Sequence, residues 1–292
     1  GIPVLVANGR LSGGSSDRYV RTGFLGRWLF SLVDRVAAQN EVYAGRFEAL
    51  GVEPERIEVL GNLKHDREPG VSAADGDELR GRLGWNEGER VIVGGCTHPG
   101  EETLLLGILS RLEAGHPDLR LVLAPRHVER LAAEQPGSWS GADAGERTFT
   151  RWSEWREGAG EPLGESVLVV DTVGELERFY SIADLAVVGG SFIPHGGHNV
   201  LEPASLSKPV LFGPHTENFA DEVALLLEGQ AAIGAADAEE LEKAIGKLLE
   251  DGPERSSLGE KAECVFSGLS GSIERHIQWI ARALSLPMPG GN

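Results

Sequence analysis

Cysteine, aromatic residues and positive charge are all scarce in this 292-residue chain. Its two cysteines, Cys96 and Cys264, cannot build a disulfide framework, which points to a reducing compartment. Lys and Arg number 27 against 45 Asp and Glu, a formal net charge of −18, so no broad basic face is available to nucleic acid. That deficit leaves room for a small anionic ligand, because a few local cations can dominate one cleft. No apolar run approaches the roughly 20 residues of a membrane span, and no signal-peptide pattern is visible. A three-glycine dinucleotide fingerprint and a Walker A loop are both missing from any strand–helix context. What remains, 41% hydrophobic and 25% charged residues, is the composition of a soluble globular chain long enough for two domains. The chain opens without Met and directly on a buried-type strand pattern, Ile2 to Ala7, and is expected to lack upstream residues.

One stretch, Ala183 to Phe219, organises the rest. The apolar run Leu185 to Val188 ends in Gly189-Gly190, a loop rich in Gly and His follows, Asn199 to Ala204 has the pattern of a first helical turn, and a second apolar run ends in Gly213-Pro214-His215. Glycines let backbone approach a ligand closely, and a helix N-terminus favours an anion. The stretch predicts a site for a phosphate-bearing ligand.

The same alternation runs along the chain. Strands are expected at Ile2–Ala7, Arg35–Ala38, Ile57–Leu60, Arg90–Val93, Leu119–Ala124 and Ser166–Val170. Helices are expected at Arg18–Val33 (with Leu25, Leu29 and Leu32 on one side), Glu41–Leu50, Asp77–Leu83, Glu102–Glu113, Gly174–Ile182, Ala220–Glu228, Ala238–Glu250, Arg255–Phe266 and Ser272–Leu284. Pro136 to Glu165 reads as an irregular excursion with short edge strands. Continuous apolar strands alternating with helices predict an α/β chain with parallel sheets covered on both faces. In such sheets ligands bind beyond the carboxyl ends of the strands. Six of the eight histidines fall in such turns, and two Rossmann-like halves facing across a cleft would collect them.

Several residues there have both a chemical and a structural reading. Arg126 follows a buried strand, where a guanidinium suits a phosphate; it could instead pair with Glu129 or Glu134. Thr172-Val173-Gly174-Glu175 fits a capping box, Thr172 accepting from the Glu175 N–H while Glu175 reaches back. Asn199 to Glu202 has the same spacing, but Gly196-Gly197 would let a nucleotide approach and Glu202 could then accept from ribose hydroxyls. His195-x-x-His198 with His215 raises a metal, yet no carboxylate or Cys accompanies it, and hydrogen bonding is the favoured role. Lys64 is either a surface lysine or a strand-end cation. Cys96 reads as a small buried residue rather than a nucleophile.

Together these pieces closely resemble the 3-deoxy-D-manno-octulosonic acid (Kdo) transferases of lipopolysaccharide synthesis, which have the GT-B fold. The matching segments are Asn8 to Ser12, Gly61 to Lys64, Thr97 to Glu102, Pro125 to His127, Asp171 to Leu176 and Val188 to Phe219, in the family's order. Gly9, His65 and Val200 stand where the family usually has Ala, Phe and Pro. The resemblance implies a GT-B-like pair of Rossmann-like domains with parallel sheets, the first incomplete. Its parts would be residues 1–73 of the acceptor domain, a nucleotide-sugar-binding domain at 74–270, and a C-terminal helix at 271–292 crossing back. It implies inverting transfer of Kdo from CMP-Kdo to lipid A precursor (lipid IVA) at the cytoplasmic face of the bacterial inner membrane, with no metal or other cofactor and no nucleic acid. CMP contacts would fall on Pro125, Arg126, Val173, Gly174, Glu175, Asn199, Val200, Leu201 and Glu202, and Lys64 would steady transition-state charge. The family's catalytic Glu base and membrane-contacting segment match no residue here, so this chain by itself is expected to bind CMP weakly and transfer nothing. The rival readings are another GT-B enzyme acting on a UDP-sugar, a metal hydrolase using the histidines, or a non-catalytic binding module.

Overall fold

The computed structural model describes residues 2–66, 69–86, 88–132, 149–158 and 163–285. The chain divides into two compact units, one formed by residues 1–67 with 268–292 and the other by residues 68–267.

The smaller unit is built on a parallel three-stranded sheet, β1 (Leu5–Gly9), β2 (Arg35–Ala38) and β3 (Ile57–Val59), in that order. Strands β1 and β2 are joined by two helices, α1 (Gly13–Arg21) and α2 (Phe24–Ser31), where the sequence predicts one. Gly23, at φ +58°, takes the chain out of the helical region and divides the pattern. The expected apolar face on Leu25, Leu29 and Leu32 is 62%, 46% and 51% exposed. Helix α3 (Glu41–Ala49) is capped by Asn40, whose side chain accepts the Tyr43 N–H at 2.9 Å, and it stops before Gly51 at φ +93°. Its Tyr43 and Phe47 bury against Val36 and Ala38 of the sheet.

The larger unit carries a seven-stranded parallel sheet. Its strands are β4 (Arg90–Thr97), β5 (Leu119–Pro125), β6 (Thr150–Arg151), β7 (Val167–Val169), β8 (Leu185–Val188), β9 (Val210–Phe212) and β10 (Ala232–Gly234). Their spatial order is β10-β9-β8-β4-β5-β7-β6. Chain order therefore reverses between β4 and β8, the topological switch point where doubly wound sheets bind ligands. Both faces are buried, as continuous apolar strands require. On β5, Leu121 and Leu123 enter one core while Val122 and Ala124 enter the other. The first core is completed by α5 (Glu101–Leu112) and α10 (Ala238–Glu250), the second by α4 (Ala73–Leu83) and α7 (Leu176–Ile182).

Some boundaries differ from the sequence reading. Helix α4 begins at Ala73, not Asp77, because Ser72 and Asp75 close a capping box. Strand β10 is three residues long, too short for a periodicity signal. The remaining helices are α6 (Trp152–Glu157), the single turn α8 (Leu201–Ala204), α9 (Ala220–Glu228) and α11 (Gly252–Leu269). Of the irregular excursion expected at Pro136–Glu165, β6 and α6 are described, and residues 136–148 and 159–162 lie outside the described residues. Among the described residues no helix is long and apolar enough to cross a membrane.

The C-terminal helix, α12 (Ser272–Ala283), belongs to the smaller unit. Asp66 accepts the N–H groups of Ser272, at 2.9 Å, and of Ile273, filling the orphan donors of its first turn. The Ser272 hydroxyl donates to the Leu60 carbonyl at 2.9 Å, and Trp279 buries beside Ala37 and Leu60.

Candidate functional site

The ends of β4, β5 and β8 are tied together by a few buried polar contacts. The Arg126 N–H donates to the Thr97 carbonyl at 2.9 Å, joining the end of β5 to the end of β4. The Thr97 hydroxyl donates to Glu102 at 2.7 Å, and Glu102 also pairs with Arg130. Burial pushes the Glu102 carboxyl up despite that partner.

Glu101 holds the largest share. Its carboxylate, 3% exposed, accepts four backbone N–H groups: His98 at 2.9 Å, Gly190 at 2.7 Å, Ser191 at 3.1 Å and Phe192 at 2.9 Å. One side chain at the start of α5 thus fixes both its own turn and the loop after β8. The carboxylate sits where the orphan N–H groups of two strand-end turns converge, so its charge is matched by dipoles rather than by a cation.

The loop after β8 folds back on itself. The Gly197 N–H donates to the Gly190 carbonyl at 2.8 Å. Gly196 has φ +99°, and a Cβ at that position would fall 2.5 Å from Asn218 Nδ2. Only glycine satisfies both demands at residue 196. The loop delivers His195 and His198 onto His98. His98 Nε2 and His198 Nε2 are 2.8 Å apart, and the His195 ring tilts over the His98 ring with centroids 4.2 Å apart. Burial, then neighbouring His98, holds His198 down to about 4, and burial likewise lowers His98, so both are neutral at neutral pH. The trio is not the one suggested by sequence spacing: His215 is replaced by His98, and His215 Nδ1 lies 3.7 Å from Glu217. Residues 98 and 195 are too far apart in sequence for any local pattern to have joined them.

The predicted nucleotide contacts separate into groups. Arg126 is exposed and forms no ion pair among the described residues; of the two alternative partners, Glu129 pairs with His127 at 3.1 Å and Glu134 lies outside the described residues. The Arg126 charge lies close enough to act on Cys96 and His198, opposing the burial that raises the Cys96 thiol and adding to the burial that lowers His198. Asn199 Oδ1 accepts the Leu201 N–H at 3.1 Å, and its amide donates to Glu202 at 3.2 Å, so Asn199 serves the first turn of α8 one residue earlier than the cap spacing predicts. Glu202 raises the Cys96 thiol and the Tyr180 hydroxyl electrostatically, which puts it at the same strand ends. Pro125, Val200 and Leu201 are buried, leaving backbone as their contribution. Cys96 is pushed up to about 11, first by burial and then by Glu202, and stays a thiol, in keeping with a packing role.

The capping box expected at Thr172–Glu175 does not form. Helix α7 starts at Leu176 with no side-chain cap. The Glu175 carboxylate is drawn away by Trp152 Nε1 at 2.5 Å and Arg156 at 2.8 Å, and the Thr172 hydroxyl donates to it at 3.1 Å. Two donors outside the turn outcompete the helix start. Val173 is 83% exposed beside Gly174 at φ +86°, and Gly174 and Glu175 line a cavity of about 600 Å³ with Arg82, Trp152, Arg156 and Arg178.

Lys64 lies in the smaller unit, exposed in a 3₁₀ turn, Leu63–Asp66, after β3. Asn62 Oδ1 accepts its N–H at 3.1 Å, and Asn8 Oδ1 accepts the Leu63 N–H at 3.2 Å. Asn8 is at φ +53°, and its own N–H donates to His276 Nε2 at 3.1 Å. Two distant segments, 8–12 and 61–64, therefore meet in one structure. The parts of Asp66 and His276 had no sequence signal and Asn8 was marked only as the start of a matching segment, since each depends on a partner at least 55 residues away.

Comparison with known proteins fits this arrangement. The family model for 3-deoxy-D-manno-octulosonic-acid transferase (kdotransferase) matches residues 1–67, and the model for glycosyl transferases group 1 matches residues 158–264. The 3-deoxy-D-manno-octulosonic acid transferase of Haemophilus influenzae is 32% identical over 282 residues, covering 94% of this chain and 62% of its own length. The chain thus spans about three fifths of that relative. Among solved structures, the C-terminal CMP-Kdo binding domain of WaaA from Acinetobacter baumannii aligns with a TM-score of 0.57 at 27% identity, over 66% of this chain and 96% of that domain. Anabaena HepE in complex with UDP aligns over 97% of this chain and 72% of its own at a TM-score of 0.59 and 17% identity, a likeness of fold. The fold is the GT-B-like pair of α/β units with parallel sheets expected from the sequence, and by its sequence the chain belongs to the 3-deoxy-D-manno-octulosonic acid transferase family.

Proposed function

We propose that the protein carrying this chain transfers Kdo from CMP-Kdo to a lipid A precursor (lipid IVA), with inversion, at the cytoplasmic face of the inner membrane. Residues 68–267 hold the donor. An acceptor hydroxyl attacks the anomeric carbon of Kdo and loses its proton to a general base or water, the bond from that carbon to the phosphate oxygen breaks, and CMP departs with the electron pair. Charge therefore grows on the CMP phosphate, where a preorganised cation lowers the barrier.

The observation that carries this reading is Arg126. It is an exposed guanidinium with no ion pair among the described residues, at the carboxyl end of β5 and beside the switch point of the sheet. A guanidinium there gives paired hydrogen bonds to a phosphate. Asn199 and Glu202 offer an amide and a carboxylate to ribose hydroxyls, with backbone at Pro125, Val200 and Leu201 alongside. Val173 to Glu175 supply a further edge, and Lys64 steadies charge in the transition state. Identity of 27% with a domain described as CMP-Kdo binding supports CMP over other nucleotides.

Calorimetric titration with CMP and UMP tests it. CMP is expected to bind more tightly than UMP, and Arg126→Ala to weaken CMP at least about tenfold, the scale of a lost charged hydrogen bond. Equal binding of UMP, or unchanged CMP affinity in the variant, overturns the reading.

A further inference from the structure

His98, His195 and His198 reach one point from two turns of the larger unit. One nitrogen from each imidazole lies within 4.8 Å of the others. The His98 and His198 Nε2 atoms are 2.8 Å apart, so only one proton fits along their contact and one of the two nitrogens presents a lone pair. A hydrogen bond accounts for that pair alone. It leaves unexplained why His195, exposed and able to point into water, is turned back over His98 at 4.2 Å.

The scaffold under the trio is rigid. Glu101 ties the His98 N–H to three consecutive N–H groups of the loop that carries the other two rings. The Gly197–Gly190 hydrogen bond closes that loop, and Asn218 Nδ2 donates to the His195 carbonyl at 3.0 Å. Ligating side chains must be held in this way if binding is not to cost their full conformational entropy.

The geometry points to a transition-metal site formed by His98, His195 and His198, taking a divalent ion of the zinc class through three imidazoles with a fourth position left for water or another ligand. Zinc holds imidazole nitrogens at about 2.0–2.1 Å, which sets them roughly 3.3 Å apart in a tetrahedron. The His98–His198 pair opens by about half an ångström, and the third ring closes in, both within reach of small side-chain rotations. Imidazoles without carboxylates select zinc, cobalt, nickel or copper over magnesium or calcium. This site adjoins the transfer chemistry proposed above, since His198 precedes Asn199 and lies within reach of the Arg126 charge, but it shares no side chain with Arg126, Asn199 or Glu202.

The test uses the chain without any histidine tag, stripped with chelator, and titrated with Zn²⁺ by calorimetry and with Co²⁺ by visible absorption. One ion per chain is expected, with a tetrahedral-type Co²⁺ spectrum. His195→Ala, on an exposed side chain that folding does not need, is expected to weaken Zn²⁺ at least about tenfold and alter that spectrum. His215→Ala, outside the trio, is expected to bind as the parent does. Zinc is expected to raise the melting temperature of the parent and of His215→Ala but not of His195→Ala. Absence of stoichiometric binding, or equal binding by His195→Ala and the parent, overturns the site, and neither result bears on CMP.

Discussion

Glu101 is the residue on which the larger unit's strand ends depend most. A carboxylate can accept all four of its N–H partners because both oxygens are acceptors; an amide keeps one acceptor oxygen and turns an NH₂ donor toward N–H groups. Glu101→Gln is therefore expected to cost about 3 kcal/mol, the scale of charged hydrogen bonds and stranded buried donors. For a unit of this size that is a fall in melting temperature of roughly 6–12 °C. CMP affinity should fall with it, because the same carboxylate positions the loop leading to Asn199 and Glu202. A variant melting within a degree or two of the parent would show that water replaces the carboxylate. The sequence marked Glu101 only as a member of a matching segment; its work could not be read there, because three of its four partners lie 89 to 91 residues on.

At the scale of elements, close approach between β4 and α7 fixes the site's floor. A Cβ on Gly95 would fall 1.9 Å from the Tyr180 hydroxyl oxygen, and Tyr180 is 1% exposed. Gly95→Ala is expected to destabilise by about 2–3 kcal/mol through overpacking. Gly14→Ala in α1, with nothing within 4 Å of the new Cβ, should instead gain up to about 1 kcal/mol from helix propensity. Urea unfolding of the two variants checks the contrast, and equal midpoints would mean that α7 slides to make room. Continuous apolar runs made β4, β5, β7, β8 and β9 legible in the sequence. The division of α1 from α2 at Gly23 was less so, because the apolar pattern runs on across the break.

For the whole molecule, two compact units with separate sheets predict thermal unfolding that departs from a single two-state transition. Scanning calorimetry is expected to resolve two components. CMP should raise the one belonging to residues 68–267, since a ligand stabilises the structure that binds it. A single transition shifted as one by CMP would mean that the units unfold together. The acidic net charge of −18 is compatible with an anionic donor because the cation at stake, Arg126, stands at a strand end where local geometry outweighs a distant field.

The sequence by itself determined the alternation of strands and helices, the parallel sheets and the family, because apolar periodicity, turn residues and short motifs are local. Cys96 could be read as a packing residue, and Arg126 as a strand-end cation, from their places beside apolar runs. Only the tertiary structure decided which side chains meet. It exchanged His215 for His98 in the histidine trio, drew Glu175 away from its helix to Trp152 and Arg156, and joined Asn8 to Leu63 and His276. It also assigned Asp66 to the C-terminal helix. Each of these contacts joins residues that are not near neighbours in the chain, and such distances are set by how the strands are ordered in the sheets.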